Sequence, residues 1–303
     1  MTFNILIPIG CRSDEGLSAP VIRLLKKEAW CGVWTYTLKA QDFVSSYVMT
    51  EVFFKLEGKP DLILITGDRV EMCASACAAF HNNVKIAHLY AGIVNDPITI
   101  YDDIDRHCIT LWSDIQFCEN EEAVCQVTAL LYPFKYPDAV YNVGITHLDD
   151  LEIDDSKVPV GMSEMPTSEL NKVPYDLILY NTPTKEYQVN DTYSLAKYLD
   201  DRYTILVSGN PDGDKDTMFK DFVDEFFINL PRAQFLGLLK NCSRFITNSS
   251  SAIYEAPYFL KPEQIIMIGD RNKNRPEVDC KPGGSEKIVK ILKEYAKITS
   301  KGK

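Results

Sequence analysis

Short runs of consecutive apolar residues recur along the first half of the chain, and segments with apolar positions at helical spacing separate them. The run at 62–65 (LILI) is the clearest, and it is typical of a strand buried on both faces. We predict strands at 3–9, 33–38, 62–65, 84–89, 114–118 and 140–143. We predict helices at 19–27, 43–57, 69–80, from 102 onwards and at 119–131. Strands that alternate with helices in this way predict a doubly wound parallel sheet.

The pattern is interrupted between residues 154 and 174, where three prolines and no clear period indicate a hinge. The alternation then restarts. We predict strands at 175–180, 203–207, 243–247 and 264–268, and helices at 194–199, 232–241, 252–259 and 285–298. The segment 222–227 fits either a short strand or the end of a helix, and the sequence does not decide between them. The second half therefore predicts another unit of the same kind.

The two halves divide the 303 residues into domains of ordinary size. We expect an N-terminal Rossmann-like domain at 1–152, a linker at 153–174 and a C-terminal Rossmann-like domain at 175–284. A final helix at 285–303 is expected to pack back on the first domain. The expected fold class is α/β, with two doubly wound domains that face each other across a cleft.

The charge balance narrows the classes of partner. The formal net charge is −11 at neutral pH, and a field of this sign argues against nucleic acid and anionic membranes. No apolar run approaches the ~18–20 residues of a membrane span, and the N-terminal MTFNILIPIG is too short and strand-like for a signal peptide. Nine cysteines without a CxxC pair predict neither a disulfide framework nor a zinc site. We therefore expect a cytoplasmic protein without a bound metal.

Acidic residues follow two of the predicted strands. Asp68 comes directly after a buried strand and a glycine, so its carboxylate can project from the edge of the sheet where ligands bind in α/β folds. In the helix after the next strand, Asp102 and Arg106 lie one turn apart and share a face. Such a pair of acids can supply a general base and a general acid. The alternatives are an N-cap role for Asp68 and a solvent-exposed helix start for the acids at 102–105.

Other catalytic signatures are missing from the sequence, which contains no GxSxG, HExxH, Walker loop or glycine-rich dinucleotide fingerprint. We accordingly expect no cofactor. His88 lies inside an apolar strand, and we interpret it as a hydrogen-bonded core residue. His81 and His147 show no arrangement that indicates a role.

The segment 248–255 (NSSSAIYE) predicts an anion site. Small hydroxyl residues join a predicted strand to a predicted helix, so free backbone N–H groups and the positive helix end point at a bound phosphate. Ser249 and Ser250 add hydroxyl donors, whereas Glu255 lies further along and suits sugar hydroxyls. The alternative is an ordinary capped helix with a solvent-exposed Glu255.

Arginines supply the cations that an acidic protein needs for a phosphate ligand. Arg12 follows the first strand, and Arg271 and Arg275 lie in the last charged loop. Their planar heads with several donors suit phosphate oxygens, although Arg12 considered alone is equally well interpreted as an exposed residue. Asn210, in the turn-rich loop 208–214, completes the predicted substrate-binding residues.

Six stretches together resemble the UDP-N-acetylglucosamine 2-epimerase family, and they cover most of the chain. They are GCRSDEG (10–16), PDLILITGDRVEM (60–72), IAHLYAG (86–92), DDIDRHCIT (102–110), FITNSSSAIYEAP (245–257) and GDRNKNRPE (269–277). The combination is specific, although no single stretch is. TGDRxEM and DDxxRHxIT are more similar to the branch that releases UDP, and RPE is more similar to the branch that keeps the nucleotide.

The resemblance implies two Rossmann-like domains in the glycosyltransferase-B arrangement, with UDP held mainly by the second domain and the sugar against the first. It implies inversion at C2 of a UDP-N-acetylhexosamine, in which UDP leaves C1 as a proton leaves C2 and both then return. The positions carried over to the UDP-sugar are Arg12, Ser249, Ser250 and Arg271 for the phosphates and Glu255 for the ribose hydroxyls. Asp68 and Asp102 are then the acid–base residues, with Arg106 pairing them.

Two positions depart from the family pattern. Tyr90 stands where the family usually has a Glu, and Asn181 or Thr182 stands where it has a His. Tyr has a pKa near ~10 and is a poor base at neutral pH unless a cation lowers it. Either Asp68 and Asp102 suffice, or Tyr90 has another role, or the substrate is a different UDP-N-acetylhexosamine, such as a 6-deoxy or L-configured one. We keep Tyr90 among the catalytic candidates.

The function we predict is a homodimeric isomerase that epimerises C2 of UDP-N-acetylglucosamine or a related UDP-N-acetylhexosamine. One alternative is a hydrolysing epimerase that releases UDP and free N-acetylmannosamine. Another is a non-catalytic protein that binds a UDP-sugar.

Overall fold

The computed structural model describes residues 2–39, 42–93, 101–132, 134, 139–149, 158–160, 163–165, 174–181, 195–208, 219–228, 230–269, 272 and 281–300. For residues 12, 13, 101, 158–160, 163–165 and 228 it describes the backbone alone. The chain divides into two compact units. Unit 1 comprises Met1–Asp150 and Lys281–Lys303, and unit 2 comprises Leu151–Cys280.

Unit 1 contains a parallel sheet whose strands alternate with helices along the chain. The strands are β1 (Phe3–Ile9), β2 (Cys31–Thr37), β3 (Leu62–Thr66), β4 (Lys85–Leu89), β5 (Ile115–Cys118) and β6 (Val140–Asn142). The helices between them are α1 (Arg12–Leu25), α2 (Phe43–Glu57), α3 (Val70–His81), α4 (Tyr101–Trp112) and α5 (Glu121–Leu131). The sheet order is β2-β1-β3-β4-β5-β6, and every pairing is parallel. This order reverses direction after β1 and β2, as in a doubly wound sheet.

The core of unit 1 forms where apolar strands meet helices with small residues. All five residues of β3 are buried, and most of the Ala and Cys residues of α3 are buried too. Small side chains on that helix allow close packing against the sheet, since tightly filled interiors leave no room for larger groups. β3 and β4 therefore lie at the centre of the sheet of unit 1.

Unit 2 repeats this architecture with a smaller sheet. An antiparallel hairpin of β7 (Val158–Val160) and β8 (Ser163–Met165) precedes it. The sheet strands are β9 (Tyr175–Tyr180), β10 (Tyr203–Ser208), β11 (Glu225–Ile228), β12 (Arg244–Thr247) and β13 (Ile265–Met267). The described helices are α6 (Arg232–Asn241), α7 (Ser251–Tyr254) and α8 (Ala256–Phe259). The sheet order is β11-β10-β9-β12-β13, again fully parallel, which confirms the predicted fold class of two doubly wound α/β units.

The C-terminal helix α9 (Gly284–Ser300) belongs to unit 1 and packs against α1. Its start is capped by Asp149, whose two carboxylate oxygens accept the backbone N–H groups of Gly283 and Ser285. Further along, Lys293 Nζ lies 2.8 Å from Glu28 Oε2. A cap and an ion pair thus fix the last helix to the N-terminal part of the chain.

Several predicted elements have the observed bounds, among them β1, α2, β9 and α6. The open segment 222–227 contains both alternatives, because a 3-10 turn at Lys220–Phe222 is followed by β11. The predicted helix 194–199 falls partly outside the described residues.

The predicted start of the first helix at residue 19 was wrong, because α1 begins at Arg12. Asp14 at the third helical position accepts the backbone N–H of Cys11 at 3.0 Å, which starts the helix earlier than the apolar pattern indicates. As a result Pro20, which a start at residue 19 would place in the first turn, lies inside α1.

The predicted helix at 252–259 is broken into α7 and α8, each of four residues, with Glu255 between them. Pro257 has no backbone N–H, so it cannot donate to the carbonyl one turn before it.

No helix within the described ranges combines the length and the apolar character that a membrane span requires.

Candidate functional site

The turn after β3 positions Asp68. Gly67 has φ of +75°, a conformation that glycine adopts readily, and its backbone N–H donates to Leu89 O at 3.0 Å. His88 Nε2 lies 2.8 Å from the carbonyl oxygen of Gly67, and its Nδ1 lies 3.2 Å from Thr110 Oγ1. Burial lowers the pKa of His88 to about 3. The neutral imidazole therefore donates from Nε2 and accepts at Nδ1, which confirms that His88 is a hydrogen-bonded core residue.

Arg106 joins the ends of β3 and β4. Its guanidinium donates to Asp68 Oδ2 and to the carbonyl oxygen of Tyr90. The side chain of Arg106 is 7% exposed and that of Asp68 is 19% exposed, so the ion pair is largely shielded while one edge of the carboxylate reaches solvent. The N-cap of α3 is Arg69, so the alternative of Asp68 as the cap does not hold. The structure brings Asp68 and Arg106 together, as predicted. An arginine in this position can hold the Asp68 carboxylate ionised at the end of the strand.

Tyr90 points its side chain into the core of unit 1. Its backbone has φ of +65°, which is rare for a residue with a Cβ, and only 5% of the residue is exposed. The hydroxyl lies 2.8 Å from Thr146 Oγ1 and 3.0 Å from His147 Nδ1, and it accepts the backbone N–H of Thr146 at 3.0 Å. Burial raises the pKa of Tyr90.

These contacts argue against an acid–base role for the Tyr90 side chain. A phenol with a raised pKa and three partners is neither ionised at neutral pH nor available to a ligand. What Tyr90 offers to this edge of the sheet is its backbone carbonyl, turned towards Arg106 by the left-handed conformation. Local sequence patterns do not indicate these contacts, because Thr146 and His147 are more than 50 residues away from Tyr90.

A second group of charges surrounds Gly10 at the end of β1. Asp14 Oδ2 accepts the backbone N–H groups of Gly10 and Cys11 at 3.2 and 3.0 Å, and burial is the main reason that the pKa of Asp14 is raised to about 6. Arg69 Nε donates to Glu71 Oε1 at 2.6 Å. A Cβ at position 10 would lie 2.6 Å from Glu71 Cγ and 3.0 Å from Asp14 Oδ2, so only glycine allows this approach. Sequence reasoning missed the group, although Asp14 and Glu71 lie in the quoted motifs.

The acids at the start of α4 separate into two environments. Asp102, the predicted catalytic residue, is exposed, whereas Asp103 is 1% exposed and lies on the buried face with Arg106 and Ile109. Asp102 and Arg106 lie one turn apart in α4, as predicted, but only Arg106 is buried, because its side chain turns inward to Asp68. The helix starts at Tyr101, one residue before the predicted start.

In unit 2, Asn248 fixes the turn after β12. Its side-chain oxygen accepts the backbone N–H of Asn181 at 2.8 Å, and its side-chain nitrogen donates to Asn181 O at 2.8 Å. Asn272 Nδ2 donates to the carbonyl oxygen of Asn248 at 2.7 Å. The strand ends of β9 and β12 and the segment after β13 are thus connected by neutral amides. Asn181, one of the two residues at the family's His position, has its backbone engaged in this network.

The hydroxyl-rich turn follows directly. Ser249 N donates to Thr247 Oγ1 at 2.9 Å, and Ser249 Oγ lies 3.3 Å from both the Oγ and the backbone N of Ser251. Ser250 is the N-cap of α7 with helical backbone angles. Since α7 has four residues, its dipole is small, and any attraction for an anion must come from the N–H and O–H groups of the turn. Glu255 lies beyond the turn and accepts from Arg232 Nη2 at 2.9 Å.

The remaining predicted positions are not described. The backbone of Arg12 lies in the first turn of α1, but its side chain lies outside the described residues, as do Thr182, Asn210, Arg271 and Arg275. The contacts expected for these side chains stay predictions.

Two doubly wound parallel units, each with polar residues at the carboxyl ends of its central strands, define an α/β protein of the glycosyltransferase-B class. The family model described as UDP-N-acetylglucosamine 2-epimerase matches residues 43–302. The chain belongs to this family.

Curated relatives are similar over most of this chain. A "GDP/UDP-N,N'-diacetylbacillosamine 2-epimerase (hydrolyzing)" of Campylobacter jejuni is 26% identical over 233 residues, which are 72% of this chain and 58% of the relative. A "UDP-N-acetylglucosamine 2-epimerase" of Neisseria meningitidis is 26% identical over 232 residues, again 72% of this chain and 58% of the relative. The chain thus spans about 58% of the length of these two relatives.

Solved structures share the fold. The S. aureus MnaA–UDP co-structure has a TM-score of 0.76 at 19% identity, covering 97% of each chain. The Neisseria meningitidis UDP-GlcNAc 2-epimerase bound to UDP-GlcNAc has a TM-score of 0.72 at 15% identity, covering 96% of this chain and 100% of that one.

Proposed function

We propose that this protein epimerises C2 of UDP-N-acetylglucosamine or a related UDP-N-acetylhexosamine. The observation that carries the proposal is the shielded Asp68–Arg106 pair at the end of β3, in a chain of the 2-epimerase family. Relatives named as 2-epimerases and a structural neighbour solved with UDP-GlcNAc support the class of substrate.

The proposed reaction begins with elimination. A base removes the proton from C2, the C2–H electron pair forms the C1–C2 double bond, and the C1–O bond breaks as UDP leaves. In the return step, a UDP oxygen attacks C1 and an acid delivers a proton to the opposite face of C2. The reaction is a net isomerisation and consumes no co-reactant.

Asp68 is the group we assign to this proton transfer, with Asp102 as its proposed counterpart. The Arg106 guanidinium favours the ionised form of the Asp68 carboxylate, and an ionised carboxylate is the form that a base requires. Ser249, Ser250 and Glu255 are the described residues that we assign to UDP. Arg12, Asn210, Arg271 and Arg275 are assigned to the substrate from the sequence.

Proton NMR in D2O tests the proposal. With a panel of UDP-N-acetylhexosamines, we expect deuterium to enter at C2 as the epimer forms. If no sugar of the panel exchanges its C2 proton, the proposed reaction does not occur.

A hydrolysing reaction is the second candidate, in which water replaces UDP at C1 and the free epimer is released. It is supported by two curated relatives named as hydrolysing, from Campylobacter jejuni and Legionella pneumophila. Free UDP that appears in step with the epimer identifies this reaction, whereas the retaining reaction leaves the nucleotide on the sugar.

A non-catalytic UDP-sugar-binding protein is the third candidate, supported by the buried Tyr90 in place of the family's Glu. It predicts that UDP binds, as measured by calorimetry, without turnover. Turnover that Asp68→Asn abolishes excludes it.

We further propose that the protein acts in the cytoplasm as a homodimer. The eight described cysteines are free, as suits a reducing compartment. An exposed apolar stripe along α2 supports self-association, and it comprises Val44, Val48, Val52 and Leu56. Sedimentation should show a dimer that Val48→Glu disrupts, whereas Phe222→Glu, which replaces an exposed apolar residue of unit 2, should leave it intact.

A further inference from the structure

Arg232 pairs with Glu255 beside the hydroxyl-rich turn of unit 2, and nothing in the sequence assigned it a role. Arg232 Nη2 lies 2.9 Å from Glu255 Oε1, with 28% of the Arg232 side chain and 13% of the Glu255 side chain exposed. The pair is therefore half-shielded and accessible on one side. A pair of this kind is stronger and better ordered than one that is fully exposed.

The position of Arg232 in its helix makes the pair unusual. Arg232 is the first residue of α6 and follows Pro231. The N-terminus of a helix carries partial positive charge, so a cation there is unfavourable. The nearby carboxylate of Glu255 offsets this repulsion, and the pair is thus a specific contact of this site.

Both residues are attached to a rigid support. Phe235 and Leu236 follow Arg232 on α6, Ala256 follows Glu255, and all three lie in one buried apolar cluster of unit 2. Helices α6 and α8 are in contact. The two backbones cannot move apart without opening this cluster, so the ion pair fixes the orientation of the Glu255 carboxylate.

One oxygen of Glu255 is left for a ligand. Oε1 accepts from Arg232, whereas Oε2 accepts no hydrogen bond from any residue in the described ranges. A carboxylate accepts hydrogen bonds only, and the two adjacent hydroxyls of a ribose can both donate to it. An oriented carboxylate beside a polar turn is the arrangement by which α/β folds recognise ribose.

We infer that Arg232 is a positioning residue that orients Glu255 for the ribose hydroxyls of the nucleotide and so sets the preference for ribose over deoxyribose. The inference rests on the proposed function, because it takes UDP as the ligand of this turn. Arg232 acts through Glu255 and makes no contact with the nucleotide itself.

Calorimetric titration with UDP, 2′-deoxy-UDP and 3′-deoxy-UDP tests this inference. The unmodified protein (the parent) should bind UDP about tenfold or more tightly than at least one deoxy analogue. When the ribose hydroxyl is missing, the carboxylate oxygen that would accept its hydrogen bond is left unpaired. Arg232→Met should reduce that ratio to below about threefold, and Arg232→Lys should restore part of it. Lys240→Met removes one positive charge from the last turn of the same helix and should leave the ratio unchanged.

The possible outcomes separate the inference from the function. Should Arg232→Met weaken UDP and both deoxy analogues equally, Arg232 acts by charge alone and the inference is wrong. A parent that binds UDP without preferring ribose overturns the inference but leaves the proposed function standing. A parent that binds no UDP overturns the proposed function and, with it, the inference.

Discussion

At the strand-end edge of unit 1 a salt bridge between side chains fixes Asp68, whereas the turn after β12 in unit 2 is fixed by neutral amides and hydroxyls. Asp68 is bound by Arg106, which also donates to the Tyr90 carbonyl. Asn248 instead bridges Asn181 through its amide, and Ser249 bonds within the turn. Fixed charges suit proton transfer, because preorganised groups need not reorient during a reaction. Neutral donors suit an anion that carries its own charge.

The largest expected effect is on turnover and comes from unit 1. Asp68→Asn should lower the rate of deuterium entry at C2 by roughly 10²–10⁴-fold, because it removes the group that we propose transfers the proton. NMR measures the rate. Asp114→Asn is the matched control, because Asp114 also pairs with a cation on this sheet, Lys85, but does so near the start of β5. If Asp114→Asn also loses activity, or if Asp68→Asn retains it, the strand-end edge of unit 1 has no special role in proton transfer.

The next effect is on the stability of unit 1. Arg106→Met leaves Asp68 and the Tyr90 carbonyl without their shared donor, and we expect a loss of about 3 kcal/mol, as for other shielded ion pairs with one partner removed. All three tryptophans (Trp30, Trp34 and Trp112) lie in this unit, so their fluorescence in urea reports its unfolding.

Lys85→Met is the control for Arg106→Met. It breaks a pair that is 54% and 31% exposed, and it should cost less than about 1 kcal/mol. Equal losses for the two variants would show that the Asp68–Arg106 pair is an ordinary surface contact.

The charged group around Gly10 predicts a pH dependence. The pKa of Asp14 is raised from 3.8 to about 6, so the folded state binds a proton that the unfolded state has released between these values. Its contribution to stability is present below pH 3.8 and is lost as the pH rises through about 6. Asp14→Asn keeps an acceptor for the two backbone N–H groups but cannot titrate.

Relative to Asp14→Asn, the parent should lose about 2–3 kcal/mol of unfolding free energy between pH 4 and pH 7. Tryptophan fluorescence in urea at each pH measures the difference. A difference that does not change with pH, or that grows in the opposite direction, would show that Asp14 is not held in its protonated form.

The smallest expected effect concerns the Tyr90 hydroxyl. Tyr90→Phe removes the hydroxyl that Thr146 and His147 contact, and the loss of these hydrogen bonds should cost about 1–2 kcal/mol. Because the carbonyl contact to Arg106 remains, turnover should stay within about threefold of the parent. A fall of about 100-fold in a folded Tyr90→Phe protein would instead make Tyr90 an acid–base residue.

Sequence patterns were sufficient where local periodicity decides the structure. β1, α2, β9 and α6 have their predicted bounds, since each is an apolar run or an amphipathic stretch with clear ends. The start of α1 and the break at Glu255 were mispredicted, because one depends on a side-chain contact of Asp14 and the other on the missing N–H of Pro257.

The candidate site could be predicted only in part for a related reason. Asp68 and Arg106 lie in recognisable motifs at strand and helix ends, and the structure brings them together. The contact of Tyr90 with His147 and that of Arg232 with Glu255 join residues 57 and 23 positions apart, and no periodicity encodes such pairs. An arginine at the first position of a helix was the one available signal for Arg232, because the helix dipole disfavours it.

We propose that unit 1 transfers the proton and that unit 2 binds UDP. Titrating Asp68→Asn and Glu255→Ala with UDP in a calorimeter tests this proposal most directly. We predict that Asp68→Asn binds UDP within about twofold of the unmodified protein and that Glu255→Ala binds it about tenfold or more weakly. Loss of UDP binding in Asp68→Asn with unchanged binding in Glu255→Ala would contradict the proposal.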